Sequence, residues 1–228
     1  MPMKILPVSE SSLIVYVSDE INLSLIARLA RFTDAIEAQF GEAIFDVIPS
    51  YTSILIDYHP LKVDLASLTT WCEAHWPSFA TSPLNATANT LTLPVYYHPD
   101  VAEDLEPLAK QKGLSVDQVI EKHTGQEYTV CAIGFAPGFA FLGSVDPAIA
   151  TPRHAKPRLQ VKKGSVGIAD QQTAVYPLDT PGGWQIIGNC PIDLFDIDAK
   201  PMMPFKVGDT IRFEAIDRAT FLQMGGQV

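Results

Sequence analysis

Three stretches of the chain combine residue types that could bind or transform a small molecule. The first is Gly134-Phe135-Ala136-Pro137-Gly138-Phe139-Ala140-Phe141-Leu142-Gly143. Its glycines let the backbone turn and come close to a ligand, and Phe135, Pro137, Gly138 and Phe139 could wall a pocket. The same residues also suit a packed hydrophobic turn. The second is Pro152-Arg153-His154-Ala155-Lys156-Pro157-Arg158, followed by Lys162-Lys163-Gly164-Ser165. From Arg153 to Lys163 there are five basic residues and no acid. Proline precedes both Arg153 and Arg158 and limits the freedom of the segment. Guanidinium groups held in this way suit a clamp for carboxylate or phosphate, with Lys156 between them. The alternative is a solvated basic loop, or arginines paired with the chain's own acids. The third runs from Gln172-Thr173, neutral hydrogen-bond donors, through Tyr176 to Pro181-Gly182-Gly183-Trp184. It reads as a strand corner with a buried Trp or as a loop closing over a ligand.

The histidines add less. His98-Pro99-Asp100 with Glu103 falls at a turn and a helix start, where Asp is expected as a cap, so no metal site is expected. His123 falls near the end of a helix, where a cation suits the dipole, and acid–base work is its alternative. Cys72, Cys131 and Cys190 show no metal-binding or disulfide spacing. No Ser-His-Asp order and no phosphate loop ending in GKS or GKT is present.

Residues 1–92 hold only seven of the chain's Gly and Pro residues and alternate strand and helix patterns. Leu13–Val17 reads as a strand. Ile21, Leu25, Leu29, Phe32, Ile36 and Phe40 form a helical stripe stopped by Gly41. Phe45–Ile48 and Thr52–Tyr58 read as strands around a Pro-Ser turn. Leu65, Leu68, Cys72 and Trp76 mark a second helix stopped by Pro77, and Leu91–Tyr96 is a further strand. The order β-α-β-β-α-β is the ferredoxin-like pattern. Asn85-Ala86-Thr87, formally a glycosylation sequon, is read as a polar linker, with the domain boundary between 85 and 86. Beyond it come two short helical patterns, the second opened by Ser115 and Gln118 at capping-box spacing. Between Gly134 and Gly208 lie 18 Gly and Pro residues among short apolar runs, which predicts a closed or sandwich-like β domain.

The bulk numbers exclude several classes. The 228 residues are 47% hydrophobic, which rules out disorder, and carry a net charge of −10, which disfavours nucleic-acid binding. The 18 residues Tyr128–Val145 carry no charge, but their glycines and proline break any spanning helix, so no membrane segment is expected. The N-terminus does not read as a signal peptide, and a cytoplasmic location is expected.

At the same three stretches the chain resembles the family of the 5-oxoprolinase B subunit, also called allophanate hydrolase subunit 1 or KipI-like proteins. The matching text is GFAPGFAFLG (134–143), TPRHAKPRLQVKKGSVGIA (151–169) and QTAVYPLDTPGGWQIIGN (172–189). Departures fall at Asp170-Gln171, at Lys162-Lys163 and in the loop Tyr97–Val101. The resemblance implies an α+β chain with a ferredoxin-like domain over 1–85 and a cyclophilin-like β-barrel over 86–228. It also implies a KipA-like partner (the 5-oxoprolinase C subunit) and a third protein (the 5-oxoprolinase A subunit), which together convert 5-oxo-L-proline to L-glutamate with ATP. A chain of this kind would be inactive alone. Within such a site Arg153 and Arg158 would stabilise a phosphorylated intermediate with Lys156 nearby, and His123 would be an acid–base candidate. The resemblance leaves two alternative readings of this chain: a KipI-like inhibitor that has a sensor histidine kinase as its partner, or a subunit acting on allophanate or a urea-like amide.

Overall fold

A computed structural model describes residues 3–81 and 89–228. The chain divides into two compact units, Met1–Ala88 and Asn89–Val228. The boundary expected at 85/86 and the linker Asn85-Ala86-Thr87 lie outside the described residues.

In the first unit, β1 (Lys4–Ser9) and β2 (Ser12–Tyr16) form a hairpin, followed by α1 (Leu23–Phe40), β3 (Ile44–Ser50), β4 (Ser53–Tyr58) and α2 (Leu65–Thr81). The sheet order is β1-β2-β4-β3, every one of these pairs antiparallel. Leu13, Val15, Ile54 and Ile56 turn their alternate side chains onto the helices and are fully buried. Phe32 of α1 is the centre of this core, packed against Trp71, Trp76 and Phe79 of α2. Asn22 caps α1 by accepting from the Ser24 N–H, and Gly41 ends it as expected. Ile21, counted in the helical stripe, falls before that cap and is exposed.

Two expectations are corrected here. Pro77 does not stop α2, which continues to Thr81. Pro77 is exposed, while Trp76 is buried and Phe79 is packed on the core beyond it, and this burial offsets the lost backbone bond. The strand at Leu91–Tyr96 does not complete the sheet of the first unit. As β5 (Thr90–Val95) it pairs parallel to β13 (Thr210–Ala215) in the second unit, with Leu93 opposite Phe213, both buried. The strand that the sequence pattern missed is β1, largely exposed and interrupted by Pro7, so it shows no alternation.

The second unit continues with α3 (Leu105–Lys112), α4 (Val116–Thr124), β6 (Glu127–Ile133), β7 (Ala140–Gly143), β8 (Arg158–Val161), β9 (Ser165–Ala169), β10 (Gln172–Val175), β11 (Thr180–Gly182) and β12 (Gln185–Asn189); β13 and α5 (Arg218–Gln223) complete it. Ser115 and Gln118 form the capping box at the start of α4. The pairings run β5-β13-β6-β7-β10-β9-β12. Tyr96 and Asn189 then bond each other's backbone, linking the end of β5 to β12 and closing the circuit. The dense turn residues therefore serve the short, mostly antiparallel strands of this unit. Strands β8 and β11 stand apart as a two-stranded ribbon. The uncharged stretch from Tyr128 to Val145 forms β6, a tight loop and β7. Among the described residues no helix is long and apolar enough to cross a membrane.

Candidate functional site

The three stretches converge on the β8–β11 ribbon. Pairing of Gly182 with Arg158 sets the Pro-Gly-Gly segment against the basic segment. The His154 N–H donates to the Gly183 carbonyl at 2.6 Å and fastens the two together. Phe139, from the first stretch, packs edge-on to Tyr176 at 5.3 Å and to Trp184 at 5.7 Å. Phe139 and Tyr176 are buried, with Trp184 and Phe141 partly covering them. Gly138 has a φ of +82° and lies so close to Leu194 and Phe195 that a Cβ would meet the Phe195 Cβ at 2.8 Å. At Gly182 a Cβ would collide with the Tyr176 hydroxyl. Phe135 (66% exposed), Pro137 and Pro181 stay at the surface. The aromatic wall is thus mostly closed on itself, and only its rim is open.

The basic segment splits into committed and uncommitted cations. Arg158 is committed: its Nη2 donates to Asp104 Oδ1 and Oδ2 at 2.6 and 2.7 Å, its Nε meets Glu103 at 2.5 Å, and its Nη1 donates to the Trp184 carbonyl at 3.0 Å. Asp104, at the start of α3, is 6% exposed and also accepts from the Ile186 N–H at 2.6 Å. Lys163 pairs with Asp193 at 2.6 Å and Lys162 with Asp179 at 3.7 Å. Arg153 and Lys156 are exposed and have no ion pair among the described residues. Asp104 is the functional-site residue that sequence reading missed. Nothing in the sequence distinguishes it from the other acids of a −10 chain.

His123 and Thr173 lie together, away from the aromatic wall. Alternation along β10 explains the separation: Ala174 belongs to the aromatic cluster, and Thr173 is on the opposite face. His123 is fully buried and stacked on Phe213 at 4.5 Å. Its Nδ1 is 2.7 Å from the Tyr97 hydroxyl and its Nε2 is 2.9 Å from Thr173 Oγ1, which donates to the Gly167 carbonyl. The neutral tautomer with a proton on Nε2 satisfies every member of this chain. Burial pushes the His123 pKa down to about 3. The expectation of a cation favoured by the helix dipole is therefore corrected: desolvation outweighs the dipole and the ring is neutral. Gln172, at the start of β10, pairs with Gly143 and Ala169.

A separate groove of about 780 Å³ lies between the β8–β9 turn, the loop at 190–193 and residues 225–228. Of the second stretch, Lys162, Lys163 and Ser165 line it, whereas Arg153, His154, Lys156 and Arg158 do not. It borders the Asp104 cluster through Glu103 and Ile186. Among the described residues no group of His, Cys, Asp and Glu side chains is assembled to hold a metal.

Comparison with known proteins gives four results. The family model for the carboxyltransferase domain, subdomain C and D, matches residues 3–205. The B subunit of 5-oxoprolinase from Bacillus subtilis (strain 168) is 33% identical over 230 residues, which span 93% of this chain and 92% of that protein. Among solved structures, TTHA0988 superposes with a TM-score of 0.79 at 26% identity, covering 94% of this chain but only 40% of that one. The Kluyveromyces lactis urea amidolyase superposes with a TM-score of 0.71 over 97% of this chain and 16% of its own. At 16% identity this last likeness is one of fold alone.

Proposed function

The chain belongs to the family of the 5-oxoprolinase B subunit, and on that premise we propose that it is one component of an ATP-dependent 5-oxoprolinase. In this reading the first unit is a ferredoxin-like domain in which β1, not β5, is the strand beside β2, and the second is a cyclophilin-like barrel that carries the site. The complex includes a KipA-like C subunit and an A subunit and converts 5-oxo-L-proline to L-glutamate. ATP is a substrate of the complex.

The observation that carries the reading is the meeting of the three family stretches at the β8–β11 ribbon. A lactam is a small amide whose opening develops negative charge, and an amide oxygen carrying phosphate is more anionic still. Such charge calls for cations fixed in advance. Arg153 and Lys156 are the exposed, uncommitted cations of the basic segment. Arg158 instead fixes that segment by its bonds to Asp104 and the Trp184 carbonyl. The clamp expected from two arginines is thus divided into one anion-facing arginine and one that positions it. His123 fits an internal, neutral support for β10 better than a group that meets substrate.

The test is substitution in the assembled complex. Arg153→Met lowers kcat/KM for 5-oxoproline by about 100-fold, the scale of losing one charged stabiliser, with stability within about 0.5 kcal/mol of the parent. Unchanged turnover of Arg153→Met would remove the anion-binding assignment.

A further inference from the structure

His154 stands in an arrangement that the basic segment, as a run of charge, does not suggest. Its Nε2 is 3.1 Å from Asp104 Oδ1 and 3.1 Å from Arg158 Nη2. Its backbone is pinned to Gly183, and its side chain is 35% exposed, so the ring is held at one nitrogen and open at the other. The Asp104 carboxylate itself is fixed two ways, by Arg158 and by the Ile186 N–H. A carboxylate held so firmly orients an imidazole and favours the tautomer with the proton on Nε2. That leaves the Nδ1 lone pair outward.

We propose that His154 is a proton-transfer residue of the site on the second unit, with Asp104 as its positioning residue. This proposal rests on the reading of the chain as part of an amide-opening complex. The Nδ1 atom accepts a proton from a water whose oxygen forms the new C–O bond. As the C–N bond breaks, its electron pair stays on nitrogen, and the imidazolium returns the proton there. The ring ends as it began, and the phosphoryl group that ATP has placed on the amide oxygen leaves as phosphate when a second water splits the resulting acyl phosphate. Arg153, the preceding residue and exposed, lies where the same segment can also meet the anionic part of the substrate. The charged and titratable groups around the imidazole are Asp104 from α3, Arg158 from β8, Glu103 through Arg158, and Tyr176, which also faces Arg158.

The experiment measures kcat and KM against pH for the reconstituted complex carrying the parent chain, His154→Gln or Asp104→Asn. His154→Gln is expected to lower kcat about 100-fold with KM within about threefold, and to abolish the acid limb of the profile. Asp104→Asn is expected to lower kcat about 10-fold with KM within about threefold, because the imidazole loses the carboxylate that orients it. A His154→Gln complex within about threefold of the parent and with the same limb overturns the proposal. If the parent complex opens no 5-oxoproline, the functional reading fails on its own, and the dyad is judged by nitrogen NMR of the histidines in the free chain. A His154 ring that keeps its proton on Nε2 and titrates at Nδ1 supports the dyad. One with a proton fixed on Nδ1 and a bare Nε2 accepting from Arg158 overturns it.

Discussion

At the scale of residues, the chain separates two ways of burying a titratable group. Asp104 is buried in company, with Arg158, His154 and a backbone N–H around its carboxylate. Removing one partner of such a pair leaves the other uncompensated, so Asp104→Ala is expected to cost about 3 kcal/mol in urea unfolding. A loss below about 1 kcal/mol would show that the cluster is solvated. His123 is instead buried neutral, and its pKa falls to about 3 from an ordinary 6.5. Between these values the unfolded chain binds a proton that the folded chain refuses. Stability is therefore undiminished above about pH 6.5 and declines as the pH drops toward about 3, by at most about 1.4 kcal/mol per pH unit. His123→Gln should flatten the pH dependence of unfolding by about that slope, and an unchanged slope would place the acid sensitivity elsewhere.

At the scale of elements, the ribbon β8–β11 and the loop between β6 and β7 build the site, and their glycines carry distinct loads. Gly138→Ala puts a side chain at φ +82° against Phe195 and should cost about 2 kcal/mol, whereas Gly134→Ala, with nothing within 4 Å of the new Cβ, should cost less than about 1 kcal/mol. Equal melting temperatures for the two variants would contradict this. The same elements show what the sequence makes legible. Periodicity finds α1 and the strands β2 and β4 because each buries one face at a regular interval. It misses β1, which buries almost nothing, and it ends α2 at Pro77 because the aromatic anchoring beyond that residue is tertiary. The capping box of α4 is readable because Ser115 and Gln118 are local partners. The Asp104–Arg158 pair spans 54 positions, so no local pattern reveals that Arg158 is committed and Arg153 is not. Likewise the two faces of β10, which send Thr173 to His123 and Ala174 to the aromatic wall, become visible only once the strand has neighbours.

At the scale of the whole molecule, the net charge of −10 disfavours nucleic acid as a partner. Its distribution matters more, because the basic residues next to the ribbon differ in whether the fold neutralises them: Arg158 and Lys163 are held in ion pairs, Arg153 and Lys156 are open. A site with few residual cations, a mostly closed aromatic wall and one part-exposed histidine is incomplete for opening a lactam, which agrees with a proposed role as one component among several. The most direct measurement is ATP hydrolysis by this chain alone and after reconstitution with the KipA-like C subunit and the A subunit, with and without 5-oxo-L-proline. The account predicts no turnover by the chain alone and 5-oxoproline-dependent release of phosphate, matched by L-glutamate, in the three-part complex. A complete complex that releases phosphate at the same rate with and without 5-oxoproline, and forms no L-glutamate, would contradict it.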